Sequence, residues 1–209
     1  MDKELITGIV LAGGRGSRMG GVDKGLQPYK GTSLIKHTLL SLQPQVGYLL
    51  INANRNLDVY NEIRSEFFAE VLTDNLADFA GPLAGFLVGL QHCKSPFLMT
   101  VPCDTPRFPA DLTSRLAEAL VQQHADIAMV SSPDDEGILR HQPVFCLMRK
   151  ELMESLQAFT LAGGRKIGAW TAQHKLARVD FNQAHDDLKA FYNANTLQDL
   201  QQLDIYEKH

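Results

Sequence analysis

The sequence lacks the features that mark membrane proteins and nucleic-acid-binding proteins. No apolar run approaches the length of a membrane span, and the opening residues MDKELITG contain no apolar stretch of a signal peptide. Lysine and arginine form no block, and charges of both signs are mixed along a chain whose formal net charge is -4. We therefore expect no nucleic-acid partner and no membrane partner, and we expect the chain to act on a small molecule.

Cysteine and histidine are too few and too scattered for a disulfide framework or a zinc site. The cysteines are Cys93, Cys103 and Cys146, an odd number without CxxC spacing, and the 7 histidines show no ligand spacing. This pattern predicts reduced thiols and a cytoplasmic location. Cys103 stands beside Asp104, but the sequence supplies no partnered base for a nucleophile, so we interpret Cys103 as a small buried residue.

The apolar pattern predicts strands that alternate with helices. The chain has 209 residues, of which 44% are hydrophobic and 21% charged, and this composition fits one globular domain. Such alternation indicates βαβ units, and thus an α/β, doubly wound fold with a mainly parallel sheet and helices on both faces. Strands are predicted at Ile6–Leu11, Tyr48–Asn52, Val71–Leu72, Phe97–Val101 and Asp126–Val130, with helices from Thr32 or Ser33 to Leu42, over Asp58–Phe67, from Pro82, and over Pro109–Gln123.

After Val130 the pattern changes. The stretch SSPDDEGILRHQ is polar and rich in turn residues, and it predicts a loop ahead of the strand-like PVFCLM. A helix over residues 150–160, a further strand and a last helix capped by Thr196 follow. We interpret this part of the chain as an insertion or a second half-site.

A glycine-rich stretch, GIVLAGGRGSRMGGVDKG at residues 8–25, follows the first predicted strand. In an open parallel sheet, ligands bind beyond the carboxyl ends of the strands, and glycines there let backbone N–H groups approach an anion. The pentapeptide LAGGR returns at residues 161–165 after a predicted helix, where Gly163 and Gly164 most simply end that helix. Only the first copy is therefore interpreted as a phosphate-binding loop.

Two common kinds of phosphate-binding loop can be excluded for this stretch. Gly16 is followed by Ser17-Arg18-Met19, so the third glycine of a dinucleotide fingerprint is missing, and the Gly-Lys-Ser/Thr end of a Walker A loop is absent. The groups that remain to bind a phosphate are the backbone amides of the glycines and the cations of Arg15, Arg18 and Lys24. Flexible cations beside backbone amides suit a triphosphate that is attacked at its α-phosphorus, because negative charge builds on the phosphate oxygens in the transition state. A glycine-rich turn with solvated cations is the structural alternative.

Several phrases of the sequence together resemble one family. The phrase LAGGRGSRMGGVDKGL is similar to the signature of the nucleotidyltransferases that couple a nucleoside triphosphate to a phosphorylated acceptor. This phrase and the later phrases quoted below together resemble the bacterial molybdenum cofactor guanylyltransferases of the MobA type, over nearly the whole chain. LAGG alone is shared with sugar-phosphate and cytidylyl relatives, whereas DKG with GPLAG and PCDTP is far more specific. The phrases are LAGGRGSRMGGVDKGL, INANR at residues 51–55, DNLADFAGPLAG at 74–85, VPCDTP at 101–106 and NANT at 193–196.

The resemblance implies a Rossmann-like nucleotidyltransferase domain over residues 1–209, with GTP bound by residues 1–105. It implies that Asn52 and Asp74 contact guanosine and that Asp104 holds Mg²⁺. Asp104 follows a predicted strand and so should lie at the sheet's carboxyl edge, where a hard carboxylate suits Mg²⁺. The alternatives are a helix N-cap for Asp104 and an ordinary turn for Asp74. The nucleotide rim and phosphate contacts implied are Leu11, Ala12, Gly13, Gly14 and Lys24, with Arg18, Lys24 and Asp104 as the catalytic set.

The later part of the chain, residues 106–209, is left to receive the acceptor. Arg140 and His141 lie in the predicted polar loop, and Arg165 stands beside Lys166, so a basic group is available for an acceptor phosphate. Asn193 and Asn195 share a strand-like segment and could point their amides one way. His141 as a solvated loop residue, and the two asparagines as caps of the last helix region, remain alternatives.

The resemblance implies transfer of GMP from GTP to the phosphate of molybdenum-loaded molybdopterin, with release of pyrophosphate and formation of the guanine dinucleotide cofactor. An anionic phosphate nucleophile needs no general base, so positioning and charge stabilisation suffice. The resemblance also implies other proteins of molybdenum cofactor biosynthesis, or acceptor proteins, as partners. The alternatives are a molybdopterin cytidylyltransferase, a sugar-1-phosphate nucleotidyltransferase and a non-enzymatic nucleotide-sensing protein.

Overall fold

A computed structural model describes residues 1–14, 22–74 and 81–193. Its strands are β1 (Ile6–Leu11), β2 (Pro28–Tyr29), β3 (Thr32–Ser33), β4 (Tyr48–Asn52), β5 (Glu70–Leu72), β6 (Phe97–Pro102), β7 (Ile127–Pro133), β8 (Leu139–Arg149) and β9 (Leu176–Asp180). Its α-helices are α1 (Leu34–Leu42), α2 (Leu57–Phe67), α3 (Pro82–His92), α4 (Leu112–Gln122), α5 (Met153–Leu161) and α6 (Ile167–Thr171). Single 3₁₀ turns cover Lys3–Leu5, Gln43–Gln45 and Lys150–Leu152.

The strands of the described chain form one main sheet of seven strands in the order β5-β4-β1-β6-β8-β7-β9, and a separate β2-β3 pair. Strands β5, β4, β1 and β6 are parallel neighbours, and β7 is parallel to β9. Strand β8 is antiparallel to both β6 and β7. The main sheet is therefore mostly parallel, as the alternation of strands and helices predicted.

Apolar side chains of β1 divide the core into two layers, because successive residues of a strand point to opposite faces. Ile6 and Val10 pack in a cluster with residues of α1, α2 and α4. Ile9 packs in a second cluster with residues of α3, α5 and α6. Helices thus cover both faces, and the doubly wound α/β prediction is confirmed. None of the helices in the described ranges is long and apolar enough to cross a membrane.

The predicted polar loop after Val130 is instead a β-hairpin, so this prediction was wrong. Strand β7 continues to Pro133, and Arg140 and His141 lie in β8, opposite Ser132 and Ser131. The turn between the strands is organised by Asp134, whose Oδ1 accepts from the backbone amides of Glu136 and Ile138. Polar residues on a hairpin that extends past its neighbouring strand have the composition of a loop, although strand pairing satisfies their backbone groups.

Other boundaries differ slightly from the prediction. Helix α4 begins at Leu112 rather than Pro109, and the helix predicted over residues 150–160 is a 3₁₀ turn followed by α5. Helix α6, with the fully buried Trp170, was not predicted because its five residues are too few to show a helical period. The last helix, predicted from Thr196, falls outside the described residues.

Candidate active site

Four parallel strands bring the predicted nucleotide residues to one edge of the sheet. Leu11, at the end of β1, pairs with Asn52 of β4 on one side and Pro102 of β6 on the other, and Asn52 pairs with Leu72 of β5. Backbone hydrogen bonds continue past the strands, since the amide of Ala12 donates to the Asn52 carbonyl at 2.8 Å. The residues that follow these four strands are therefore neighbours in space.

Asp74 is fixed at this edge by two asparagine side chains. Asn52 Nδ2 donates to Asp74 Oδ1 at 2.9 Å, and Asn54 Nδ2 donates to Asp74 Oδ2 at 2.7 Å. Asn54 also accepts from the Asp74 amide at 2.8 Å and donates to the Gly13 carbonyl at 3.2 Å. Asn54 thus joins Asp74 to the glycine-rich loop. The sequence analysis did not select Asn54, although its place in the phrase INANR was a signal.

Gly13 and Gly14, two adjacent glycines of this stretch, have different surroundings. A Cβ on Gly13 would lie 2.6 Å from Asn54 Nδ2 and 2.9 Å from Asn52 Oδ1, closer than real Cβ contacts. A Cβ on Gly14 would meet nothing within 4 Å. Gly13 is therefore required for close packing against the asparagines, whereas Gly14 faces open space.

Lys24 and Asp104 form an ion pair across the edge. Lys24 Nζ lies 3.2 Å from Asp104 Oδ2, and their side chains are 24% and 16% exposed, so both heads stay accessible. Asp104 follows β6 and Lys24 follows the glycine-rich loop, so two residues 80 positions apart meet. The structure thereby places a cation and a carboxylate next to the loop predicted to bind phosphate.

Cys103 is buried between these groups, as predicted. Burial, and then the negative charges of Asp104 and Asp23, raise the pKa of the Cys103 thiol well above its usual value. The thiol therefore stays protonated at neutral pH, and a protonated thiol is a poor nucleophile. This agrees with a structural role for Cys103.

The residues at this edge fit a divalent cation that arrives with a nucleotide. In the ranges that the structure describes, no group of three or more His, Cys, Asp or Glu side chains could hold a metal ion by itself. Mg²⁺ is usually bound by one or two carboxylates together with substrate phosphates and waters, rather than by a protein cage. Asp104 supplies such a carboxylate.

A second acidic residue, Asp23, was missed by the sequence analysis. It lies one residue before Lys24 and is 7% exposed. The Tyr60 hydroxyl donates to Asp23 Oδ1 at 2.8 Å, and Asn56 Nδ2 donates to Asp23 Oδ2 at 3.0 Å. Burial, followed by the neighbouring Cys103 and Asp23, raises the pKa of Tyr60, so the phenol is a neutral donor. The aspartate of the phrase VDKG was the only signal for Asp23 in the sequence. The hydrogen-bond partners of Asp23 come from α2 and from the N-cap residue of that helix.

Arg140 and His141 lie on the part of β8 that extends past the end of β6. Thr100 of β6 pairs with Cys146, and β8 begins at Leu139, so its first residues overhang the carboxyl edge. Arg140 Nε donates to Asp134 Oδ2 at 2.8 Å. This hydrogen bond is the main reason why the pKa of the exposed Asp134 carboxyl is lowered. Both predicted acceptor residues are exposed and within the hairpin.

Asn193 comes close to the carboxylate site. Its Oδ1 accepts from Thr105 Oγ1 at 2.6 Å, and Thr105 directly follows Asp104. The preceding Tyr192 donates from its hydroxyl to Asp135 in the hairpin turn. The segment therefore connects the hairpin to the residues around Asp104, on the side predicted for the acceptor.

Arg165 is less closely tied to this edge than the residues above. Arg165 lies in the turn between α5 and α6, and its guanidinium donates to the carbonyls of Thr160 and Gly164. Arg18 and Asn195 lie outside the described residues, and so does Arg15.

The second LAGGR ends helix α5, as predicted. Gly163 has φ +89 and directly follows the C-cap residue Ala162. The Gly164 amide donates to the Phe159 carbonyl at 2.9 Å, the backward hydrogen bond of a glycine-terminated helix. This copy follows a helix rather than a strand at the carboxyl edge.

Several solved structures share this fold. Molybdopterin-guanine dinucleotide biosynthesis protein A from Archaeoglobus fulgidus has a TM-score of 0.76 and 22% identity, covering 97% of this chain and 100% of that chain. The 4-diphosphocytidyl-2C-methyl-D-erythritol synthase of Anaerococcus prevotii has a TM-score of 0.73 and 14% identity, covering 100% of both chains. A manganese complex of a Mycobacterium tuberculosis protein has a TM-score of 0.64 and 18% identity, over 95% of this chain and 97% of that one. The sheet and its edge thus define a nucleotidyltransferase fold.

The sequence itself is more specific than the fold. Residues 8–179 match the family described as the MobA-like NTP transferase domain. A protein of Albidiferax ferrireducens named molybdenum cofactor guanylyltransferase is 61% identical over 205 residues, which cover 95% of each chain. The chain belongs to the MobA-like NTP transferase family.

Proposed function

We propose that this protein is a molybdenum cofactor guanylyltransferase. It transfers GMP from GTP to the phosphate of molybdenum-loaded molybdopterin, so that the guanine dinucleotide cofactor forms and pyrophosphate leaves. The observation that carries the proposal is the 61% identity, across 95% of the chain, to a relative of that name. The fold alone does not choose the nucleotide, because a cytidylyl enzyme shares it at a TM-score of 0.73.

Residues 1–105 form the GTP half-site in this proposal. The backbone of Leu11, Ala12, Gly13 and Gly14 surrounds the nucleotide, and Asn52 and Asp74 meet guanosine. The Asp74 oxygens accept from Asn52 and Asn54 and keep further lone pairs, so they can accept from the donor groups of guanosine.

The chemical step needs charge stabilisation more than proton transfer. The acceptor phosphate is already anionic and attacks the α-phosphorus in line, so the residues position two anions and stabilise the charge that develops. Lys24, with Arg18, binds phosphate oxygens, and Asp104 would hold Mg²⁺. The metal ion would act there as a Lewis acid that stabilises negative charge on the phosphate groups. The 3.2 Å separation of Lys24 Nζ and Asp104 Oδ2 supports a shared action on one phosphate group.

Residues 106–209 form the acceptor half-site in this proposal. Arg140 and His141 on the overhanging hairpin, with Asn193, approach from the side of Asp104 opposite to β5, and Asn195 is assigned to the same half-site from the sequence alone. The hydrogen bond between Asn193 and Thr105 supports this placement, because it brings the acceptor segment next to the metal ligand. Arg165 supplies a further cation for the acceptor.

We also infer that the protein works in the cytosol. All three cysteines are buried as free thiols, which suits a reducing compartment.

A nucleotide panel tests the proposal. The protein is incubated with loaded molybdopterin, Mg²⁺ and each of the four nucleoside triphosphates, and pyrophosphate release is followed. We expect turnover with GTP and little with CTP, ATP or UTP. Preferred use of CTP would identify a cytidylyltransferase, turnover with a sugar 1-phosphate in place of molybdopterin would identify a sugar enzyme, and GTP binding without any turnover would indicate a sensor.

A further inference from the structure

One arginine bridges the two ends of the glycine-rich loop. Arg55 Nη2 donates to the Gly14 carbonyl at 3.1 Å and to the Val22 carbonyl at 3.0 Å. Gly14 and Val22 are the residues that directly flank residues 15–21, so a single nitrogen joins the start and the end of that segment. Arg55 comes from the turn between β4 and α2, which is distant in sequence from both carbonyls.

The Arg55 guanidinium also forms an ion pair with the buried carboxylate of Asp23. Arg55 Nε lies 3.7 Å from Asp23 Oδ2, and the two side chains are 30% and 5% exposed. Asp23 is itself fixed by the hydrogen bonds from Tyr60 and Asn56. Helix α2 and its N-cap residue thereby support the arginine, and the position of Arg55 is set by the packed core.

Arginine suits this place for a physical reason. A planar guanidinium presents several N–H groups in a rigid fork, so one side chain can pair with a carboxylate and donate to two carbonyls at once. A lysine ammonium has the same charge but cannot keep this geometry. Joining both ends of a loop also removes conformational freedom that a ligand would otherwise have to order on binding.

We propose that Arg55 is a positioning residue that clamps the glycine-rich loop in the spacing that receives the GTP phosphates. The proposal rests on the function proposed above, because it takes the loop as the phosphate site. Arg55 acts through the loop backbone rather than by touching substrate. Its loss weakens GTP binding and leaves acceptor binding unchanged, since no acceptor residue belongs to the clamp.

The first test measures GTP affinity by equilibrium titration for Arg55→Lys, with Arg64→Lys as the matched control. Arg64 lies exposed on α2, so the control makes the same chemical change near the clamp but outside it. We expect the Kd for GTP to rise at least about tenfold in Arg55→Lys and to stay within about twofold in the control. Lysine keeps the charge, so failure of lysine to replace arginine points to geometry rather than electrostatic attraction.

The second test needs no nucleotide. Trypsin cuts after Arg15 and Arg18, which lie between Gly14 and Val22 in the sequence, and mass spectrometry of the fragments gives the rate at each bond. We expect faster cleavage at these two bonds in Arg55→Lys than in the wild type and in Arg64→Lys, because Gly14 and Val22, which flank both bonds, are then no longer held together. Cleavage at bonds elsewhere in the chain serves as the internal reference.

The outcomes separate this proposal from the proposed function. If wild-type protein does not bind GTP, the proposed function fails, while the cleavage test still decides whether the clamp exists. If Arg55→Lys binds GTP as tightly as the wild type, or binds it weakly with unchanged cleavage, the clamp proposal is overturned. Should Arg55→Lys fail to fold, the double variant Arg55→Met with Asp23→Asn removes both charges of the ion pair, so that the buried position of Asp23 holds no unpaired charge, and it is measured in the same two ways.

Discussion

Asp104 and Lys24 are 80 positions apart in the sequence and meet only because the fold brings them to one edge of the sheet. An accessible ion pair of this kind contributes little to stability, typically about 0–1 kcal/mol, because solvent screens it and the long lysine loses freedom. The pair is therefore better explained by chemistry at the edge than by stability. Each member can exchange its partner for a phosphate or a metal ion without loss of the surrounding core.

The substitution Asp104→Asn tests this explanation. It keeps the shape of the side chain and removes the charge, so we expect transfer to fall by more than about a hundredfold because metal placement is lost. The melting temperature should change by only a few degrees, as for the loss of one ion pair that stays partly accessible to solvent. Steady-state rates in Mg²⁺ and a thermal melt measure the two quantities. A variant with the wild-type rate would remove Asp104 from the site.

Gly13 and Gly14, the two glycines that directly follow β1 and Ala12, make a second residue-level test. In Gly13→Ala the new methyl group would collide with the side chains of Asn52 and Asn54. We expect a loss of about 1–3 kcal/mol in unfolding free energy, typical of overpacking, together with weaker GTP binding. Gly14→Ala should keep wild-type stability, because its Cβ meets nothing within 4 Å. In Gly14→Leu we expect GTP binding to be blocked by the larger side chain, and calorimetric titration of the three variants checks this order.

At this scale the sequence predicted only part of the site. Asp74 and Asp104 could be placed at the edge because each follows a predicted parallel strand. The roles of Asn54, Arg55 and Asp23 could not be predicted, because their hydrogen bonds depend on side chains that meet only after β4, α2 and the loop have packed together. Sequence spacing carries no record of such contacts.

At the scale of whole elements, the hairpin of β7 and β8 is the main departure from expectation. Its residues past the sheet edge are polar, and this composition favours a loop. The hairpin nevertheless pairs Ser131 with His141 and Ser132 with Arg140. A rigid strand holds the basic side chains more firmly than a loop, which strengthens the case for a defined acceptor half-site.

Replacing Arg140 or Arg165 tests whether the proposed acceptor half-site binds molybdopterin. We expect Arg140→Ala or Arg165→Ala to weaken molybdopterin binding and to leave the GTP affinity within about twofold, a change below ~0.5 kcal/mol. Lys24→Ala should instead weaken GTP binding or both. In Arg140→Ala the pKa of Asp134 should also rise toward its ordinary value, since Arg140 is the main cause of the lowering. Separate titrations of both ligands, with NMR of Asp134, supply the measurements.

The division into half-sites fails if neither arginine variant affects molybdopterin binding, or if both lose GTP binding instead. Asp134→Asn is the matched control, because it removes the hydrogen-bond partner and leaves the Arg140 cation in place.

The end of helix α5 gives a further test of the two LAGGR copies. Gly163 has φ +89, so Gly163→Ala should cost about 1 kcal/mol in unfolding free energy. At Gly164 the φ is not positive, and the obstacle is steric, because a Cβ would lie 2.2 Å from the Phe159 ring. Both variants should bind GTP as the wild type does. Chemical denaturation measures the unfolding free energy, and titration measures the GTP affinity. A loss of GTP affinity equal to that of Gly14→Leu would mean that the second LAGGR copy belongs to the nucleotide site.

For the whole molecule, the periodicity of apolar residues was enough to predict the fold. Ile6–Leu11 and Tyr48–Asn52 were predicted with the bounds that the structure shows, because buried parallel strands are uninterrupted apolar runs between clear helix and turn signals. The reversed direction of β8 was not predicted, since an apolar run has the same composition in either direction. Because β8 runs in this reversed direction, the hairpin of β7 and β8 extends past the carboxyl edge of the sheet.

In the proposed reaction, both halves of the sheet act on one phosphorus atom. Direct transfer predicts that the α-phosphate of GTP moves to the acceptor in a single step, without a protein-bound intermediate.

Parallel reactions with [α-³²P]GTP and [γ-³²P]GTP, each with loaded molybdopterin and Mg²⁺, test this most directly. The predicted result is α-label in the guanine dinucleotide product, γ-label in pyrophosphate, and no label on acid-precipitated protein. Label from the α-position in pyrophosphate or fixed to the protein would contradict direct guanylyl transfer at this site.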